Sequence, residues 1–271
     1  MKKLALPVVL LLAPLLASCA SGGSADGASS TAPPPADPPA AGEVHWSYEG
    51  EEGPDEWGDL AANFAACEEG DAQSPIDLPD HADEKVKGHP EITSSRTVGE
   101  SVDTGHTIQL VPDGDASEVE WKGNEFGLEQ VHFHMPSEHT VEGEALDAEF
   151  HFVHTTESGE VLVLGVLAEE GDTENEAWQP FVDGAAEPGS DELPIDVAAM
   201  LPTDPTFEEY AGSLTTPPCT EGVDWVIYHE PIELSAEQIA VLKGAYEDNA
   251  RPVQPQGDRV AYEGTITVNQ D

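Results

Sequence analysis

Three of the ten histidines in this 271-residue chain are spaced for metal chemistry. His132 and His134 lie in the run Gln130-Val131-His132-Phe133-His134-Met135, and His151 lies in Ala148-Glu149-Phe150-His151-Phe152-Val153-His154. In a strand, residues two apart share a face. His132 and His134 therefore project together with Gln130, and His151 projects with Glu149 and Val153. Antiparallel pairing of the two strands would let three imidazoles converge. Three neutral nitrogens with an open fourth position form the catalytic rather than the structural zinc arrangement. An imidazole ligand also needs its second nitrogen held, and Gln130 and Glu149 each stand two residues before a candidate ligand, on its own face.

Most of the apolar signal that must position these residues has period two. Strands are expected over 106–111, 118–121, 128–135, 146–154, 161–168 and 223–229, with a turn at 136–147. Val161-Leu162-Val163-Leu164 is apolar on both faces and belongs in mid-sheet, covered on both sides. Capping-box spacing at Thr173/Glu176 and at Ser235/Gln238 predicts two helices, the second with Ile239, Leu242 and Tyr246 on one stripe. Segments rich in Gly, Pro and Asp separate these elements. The sum is a mainly β domain with short surface helices.

The first 18 residues stand apart from that domain. Lys2 and Lys3 precede an apolar run, Leu4 to Leu16, that is too short to span a bilayer stably, and Leu16-Ala17-Ser18-Cys19 reads as a lipoprotein cleavage site. Residues 1–18 are thus expected to be a signal peptide, with Cys19 lipidated and holding the protein to a membrane. Residues 19–42, rich in Gly, Ser and Pro, form a tether. One catalytic-sized domain remains, 43–271. Its charge is extreme: Lys+Arg total 9 against 55 Asp+Glu, a formal net of −46, with carboxylates along the whole length. That excludes nucleic acid as a partner and suits a salty exterior, where ions screen self-repulsion. With Cys19 lipidated, Cys67 and Cys219 are left as an even pair in an oxidising compartment. A bond between them would close a loop of about 150 residues, for which chain entropy allows at most about 5 kcal/mol; two free thiols are the alternative.

His132-x-His134-x3-Glu138 also copies the first metal motif of the cupin barrels, but their second motif has no counterpart downstream. Eight stretches, in order, resemble a different family. His45-Trp46-Ser47-Tyr48, Gln73-Ser74-Pro75-Ile76, Gly105-His106, Gln130 to His134, Ser137-Glu138-His139-Thr140, Ala148 to His154, Gly212-Ser213-Leu214-Thr215-Thr216-Pro217-Pro218 and Asn249-Ala250-Arg251-Pro252-Val253-Gln254-Pro255 are similar to the alpha-class carbonic anhydrases. They cover nearly all of 43–271. The resemblance implies a central, twisted, mostly antiparallel sheet of about ten strands, with Zn2+ at the bottom of a cone-shaped cleft. It implies reversible hydration of CO2 to bicarbonate and a proton through a zinc-bound hydroxide. His132, His134 and His151 would be the ligands, with Gln130, Glu149 and Asn249 behind them. Thr215 would orient the hydroxide and donate to Glu138, and His106 would shuttle the proton, its ordinary pKa suiting transfer both ways. Val153, Val163, Leu214, Val223 and Trp225, with Thr216, would form the wall beside which CO2 waits. Cys67 and Cys219 would pair. The chain departs from the family pattern at Thr104 and Gln109, where many members carry asparagines that order the proton-relay water.

A metal-sequestering lipoprotein would need the three histidines but not Thr215, Glu138 and His106. A catalytically dead adhesive relative usually lacks a metal histidine, and all three are present here.

Overall fold

Ten strands form one continuous path through the computed structural model, which describes residues 44–82 and 84–270. Signal peptide, Cys19 and tether lie outside these residues. In chain order the strands are β1 (Glu84–Lys85), β2 (Thr97–Asp103), β3 (Ile108–Pro112), β4 (Asn124–His134), β5 (Ala148–Thr155), β6 (Val161–Gly171), β7 (Leu193–Ile195), β8 (Thr206–Ser213), β9 (Glu221–Tyr228) and β10 (Tyr262–Thr265). They neighbour one another in the order β7-β2-β3-β4-β5-β6-β9-β8-β10-β1. Along that path only β6 with β9 and β10 with β1 run parallel. The expected fold is therefore present: a large, mainly antiparallel mixed sheet with few short helices.

The run 161–164 has the expected place, with β5 antiparallel on one side of β6 and β9 parallel on the other. Its two faces feed two cores. Leu162 and Leu164 join a large cluster with Phe133, Phe150, Phe152 and Trp178, whereas Val163 joins a smaller one with Val223 and Trp225. That second, thinner cluster lies on the face that carries the histidines.

Two expectations need correction. The strand expected from residue 106 begins at Ile108, because Thr104 turns the chain first: its hydroxyl donates to Thr107 O at 3.0 Å and accepts from Thr107 N at 3.1 Å. His106 thus rides on a loop. Thr173 and Glu176 cap no helix. Helix α1 (Gln179–Ala186) starts later, with Pro180 in its first turn and no side-chain cap. The turn before it is held instead by Gln238, which accepts from Asn175 N and donates to Asn175 O, both at 2.9 Å. Helix α2 (Ala236–Ala245) has the expected capping box between Ser235 and Gln238. Ile239 and Leu242 are buried, and Tyr246 is the residue that ends the helix.

Cys67 and Cys219 are bonded across 152 residues with their Cα atoms 5.0 Å apart, beside Trp57 and Phe64.

Candidate metal centre

β4 and β5 pair so that His132 stands directly opposite His151, and Glu149 opposite His134. Alternation on each strand then brings the three imidazoles to one point. One ring nitrogen from each lies within 4.8 Å of the others, and His151 Nδ1 is 3.3 Å from His132 Nε2. The opposite nitrogens are all held. His132 Nδ1 donates to Gln130 Oε1 at 2.9 Å, His134 Nδ1 to the Asn249 carbonyl at 2.7 Å, and His151 Nε2 to Glu149 Oε1 at 2.8 Å. A carbonyl or a carboxylate can only accept, so each neutral ring has spent its one N–H outward. Three lone pairs face one another with no proton among them. Burial holds all three imidazoles below their ordinary pKa, His134 at about 4, so they are neutral near pH 7. His134 Nε2 is buried with no hydrogen-bond partner among the described residues. Three convergent, unprotonated donors with their backs fixed fit a divalent metal ion of borderline softness such as zinc.

The groups behind the ligands are themselves anchored. Glu149 is fully buried, yet its carboxyl is held well below the usual carboxylate range against its burial by His139 and His151. It accepts from the Glu138 and His139 amides at 3.0 and 2.8 Å and from His139 Nδ1 at 2.7 Å. His139 Nε2 meets the Tyr210 hydroxyl at 2.7 Å, and that hydroxyl donates to Ser74 Oγ at 2.8 Å. Asn249 clips the end of β4: its amide nitrogen donates to Phe133 O and His106 O at 3.1 Å, and its side-chain oxygen accepts from Met135 N at 2.7 Å.

Glu138 borders the triad, with Oε2 3.4 Å from His134 Nε2. Its Oε1 accepts from Arg251 N at 2.8 Å. Burial pushes this carboxyl up to about 7, opposed by His151, the Thr215 side chain and the Arg251 amide. Thr215 is itself buried and follows β8 on the loop that leads to the disulfide. The Arg251 guanidinium ties this corner together, donating to Gln73 Oε1 at 2.9 Å, Ser74 O at 2.8 Å and Cys67 O at 2.8 Å.

Val153, Val163, Leu214, Val223 and Trp225 form one apolar cluster, and the Trp225 ring is 4.8 Å from that of His151. Thr216 is half-buried on the same loop as Thr215, its carbonyl taking the Cys219 amide at 2.9 Å. His106 sits away from the triad, stacked on Trp46 at 3.6 Å with planes 9° apart and edge-on to Tyr48. Burial, with a contribution from His45, lowers its pKa below the ordinary value, and Asp103 opposes this. Gln109 stands opposite His132 in the register of β3 with β4.

Sequence reasoning did not single out His139, Tyr210, Arg251 and Tyr48 for roles. The first, third and fourth sit inside motifs that were recognised, but nothing local marks them. Tyr210 carries no signal, because only the register of β8 with β9 sets it opposite Trp225.

A profile of the eukaryotic-type carbonic anhydrases matches residues 52–264. A carbonic anhydrase from Klebsiella pneumoniae is 38% identical over 227 residues, spanning 81% of this chain and 91% of its own. The alpha-carbonic anhydrase of Thermovibrio ammonificans, solved with the inhibitor sulfanilamide, superposes with a TM-score of 0.76 at 38% identity over 82% of this chain and all of its own. The Photobacterium profundum alpha-carbonic anhydrase gives 0.75 at 36% identity, over 80% and 100%. With a large mixed sheet, a histidine triad on two central strands and relatives matched over four-fifths of its length, this chain belongs to the alpha-class, eukaryotic-type carbonic anhydrase family.

Proposed function

We propose that the chain is a zinc-dependent carbonic anhydrase that interconverts CO2 with bicarbonate and a proton, its metal held by His132, His134 and His151. The observation that carries the reading is the set of three inward lone pairs whose outward N–H groups are all consumed. A bound zinc would supply the Lewis acidity that makes water nucleophilic at neutral pH, for which this enzyme class is the standing example. The residues do the rest. Val163, Val223 and Trp225 form an apolar wall beside the triad, which suits a neutral linear substrate. Glu138, fixed through Oε1 by the Arg251 amide, keeps Oε2 free to accept the Thr215 hydroxyl proton. Thr215 is then obliged to accept, not donate, toward the reacting oxygen, which orients a lone pair at the carbon. His106, stacked on Trp46 and half-exposed, accepts the released proton and passes it to buffer. The leader pattern, with Cys19 as its lipidation site, supports a position outside the cytoplasm on an envelope membrane, and the high carboxylate density suits saline surroundings.

Metal analysis and a CO2-hydration assay test the core of this reading. Purified protein is expected to hold one zinc per chain, and His132→Ala is expected to lose both zinc and hydration. Full activity in that variant would overturn the site.

A further inference from the structure

The far end of the ten-strand path holds a second convergence of ionisable groups, remote in the sheet from the triad. Glu208 on β8 stands directly opposite Glu263 on β10, and Glu263 opposite Lys85 on β1. Ile227 of β9 faces Glu208 from the other side, and His229 lies two residues further on, its amide still bonded to Thr206 O at 3.0 Å. By alternation His229 emerges over the same face. Like charges directly opposite destabilise a sheet, and this pair is poorly relieved. Glu208 is only 2% exposed, and neither carboxylate oxygen has a hydrogen-bond partner among the described residues. Lys85 is engaged with Glu263 instead.

Above these carboxylates the loop ahead of β1 lays His81 on His229, ring centroids 4.7 Å apart and planes 5° from parallel. His81 Nδ1 is 3.4 Å from Glu263 Oε2. His229 Nε2 is bonded to the Asp80 carbonyl, which directs its N–H there and leaves Nδ1 with a lone pair. A nitrogen from each ring and a carboxylate oxygen of Asp80 lie within 4.8 Å of one another. Burial pushes Glu208 up to about 7; His229, His81 and the Ala82 amide dipole, too poorly placed for a full hydrogen bond, favour its ionised form, and Glu263 opposes it.

We propose that Asp80, His81 and His229, above the buried Glu208, bind a second divalent transition-metal ion that joins the loop ahead of β1 to the β9 end of the sheet. Imidazole and carboxylate donors together suit zinc and its neighbours over calcium or magnesium, which prefer oxygen alone. The ion would supply positive charge beside Glu208, which Lys85 leaves to pair with Glu263, in a molecule whose field already concentrates cations. The proposal is independent of the reading given to the three-histidine centre.

The test is calorimetry of the full mature protein, preloaded with one equivalent of zinc and titrated with zinc chloride in molar sodium chloride, which screens diffuse binding to surface carboxylates. Wild type is expected to take a second equivalent and to melt at higher temperature with it. His81→Ala and His229→Ala are expected to bind that equivalent at least about tenfold more weakly, and Glu208→Gln to weaken it as well. All three should keep the first equivalent, which also reports that the fold is intact. A wild type with no second equivalent, or one whose second equivalent is equally tight in His229→Ala, would overturn the proposal. Failure of the first equivalent to bind would count against the three-histidine centre alone.

Discussion

His106 and His154 show how differently one side-chain type behaves in two settings. His106 is half-buried on a loop against Trp46, free to exchange protons with solvent. His106→Ala is expected to slow CO2 turnover while leaving exchange between CO2 and bicarbonate at chemical equilibrium nearly intact, with imidazole buffer restoring much of the loss. Equal falls in turnover and exchange would remove the shuttle role. His154 is fully enclosed in β5, with Nδ1 donating to Phe152 O at 2.9 Å and Nε2 without a partner among the described residues. Burial lowers its pKa to about 4. Its folded pKa lies below the unfolded one, so on acidification the unfolded chain takes up the proton first. Stability is then lost progressively from about pH 6.5 down to about pH 4, by on the order of 3 kcal/mol from this residue. Denaturant midpoints of His154→Gln, measured at several pH values, should fall less steeply over that window than those of wild type.

At the scale of elements, the face that carries the histidine triad depends on pieces far apart in the chain. The loop after β8 carries Thr215 and runs on to Cys219, while Cys67 belongs to the short helical turns that also present Trp57 to the Arg251 guanidinium at 5.7 Å. The Cys67–Cys219 bond therefore joins the N-terminal segment to the loop that carries Thr215. Its reduction is expected to destabilise the fold by at most about 5 kcal/mol, because the unfolded chain regains a long loop's entropy, and so to lower the melting temperature. Mass mapping of oxidised protein should find the two residues linked. Two alkylatable thiols in native protein would contradict the bond.

For the whole molecule the dominant quantity is charge. A formal net of −46 repels bicarbonate and anionic inhibitors but not CO2. At 0.01 M salt the Debye length is about 30 Å, so the field reaches across the domain. Raising salt to molar levels, with an anion that binds zinc poorly, should lower the KM for bicarbonate more than that for CO2. It should also shift the apparent pKa of hydration downward, since a negative body resists losing a proton. Melting temperature should rise over the same range as carboxylate repulsion is screened. A steady fall in melting temperature with salt, or equal responses of the two substrates, would remove this role for the surface.

Much of the site was legible because strand geometry is local. His132, His134 and Gln130 share a face by a period of two, as do His151 and Glu149, so spacing marked three candidate ligands and two groups behind them, and the resemblance then named the metal. The capping box at Ser235 was readable for the same reason, since its two bonds span three residues. The recognised motifs then supplied the disulfide and the large sheet. Tertiary structure decided what depends on register and closure. Which carbonyl holds His134 required Asn249 to return from 115 residues away. The Glu149-His139-Tyr210-Ser74 chain required β8 to lie three strands along from β5, with β6 and β9 between them, an arrangement that no local pattern encodes. Thr173 and Glu176 failed as a helix cap because Gln238, from another helix, satisfied that turn's backbone first. Opposed Glu208 and Glu263 look like any two surface acids in the sequence, and only the pairing of β8 with β10 sets them face to face, one of them buried. Periodicity is a property of one strand, whereas opposition across a sheet belongs to two.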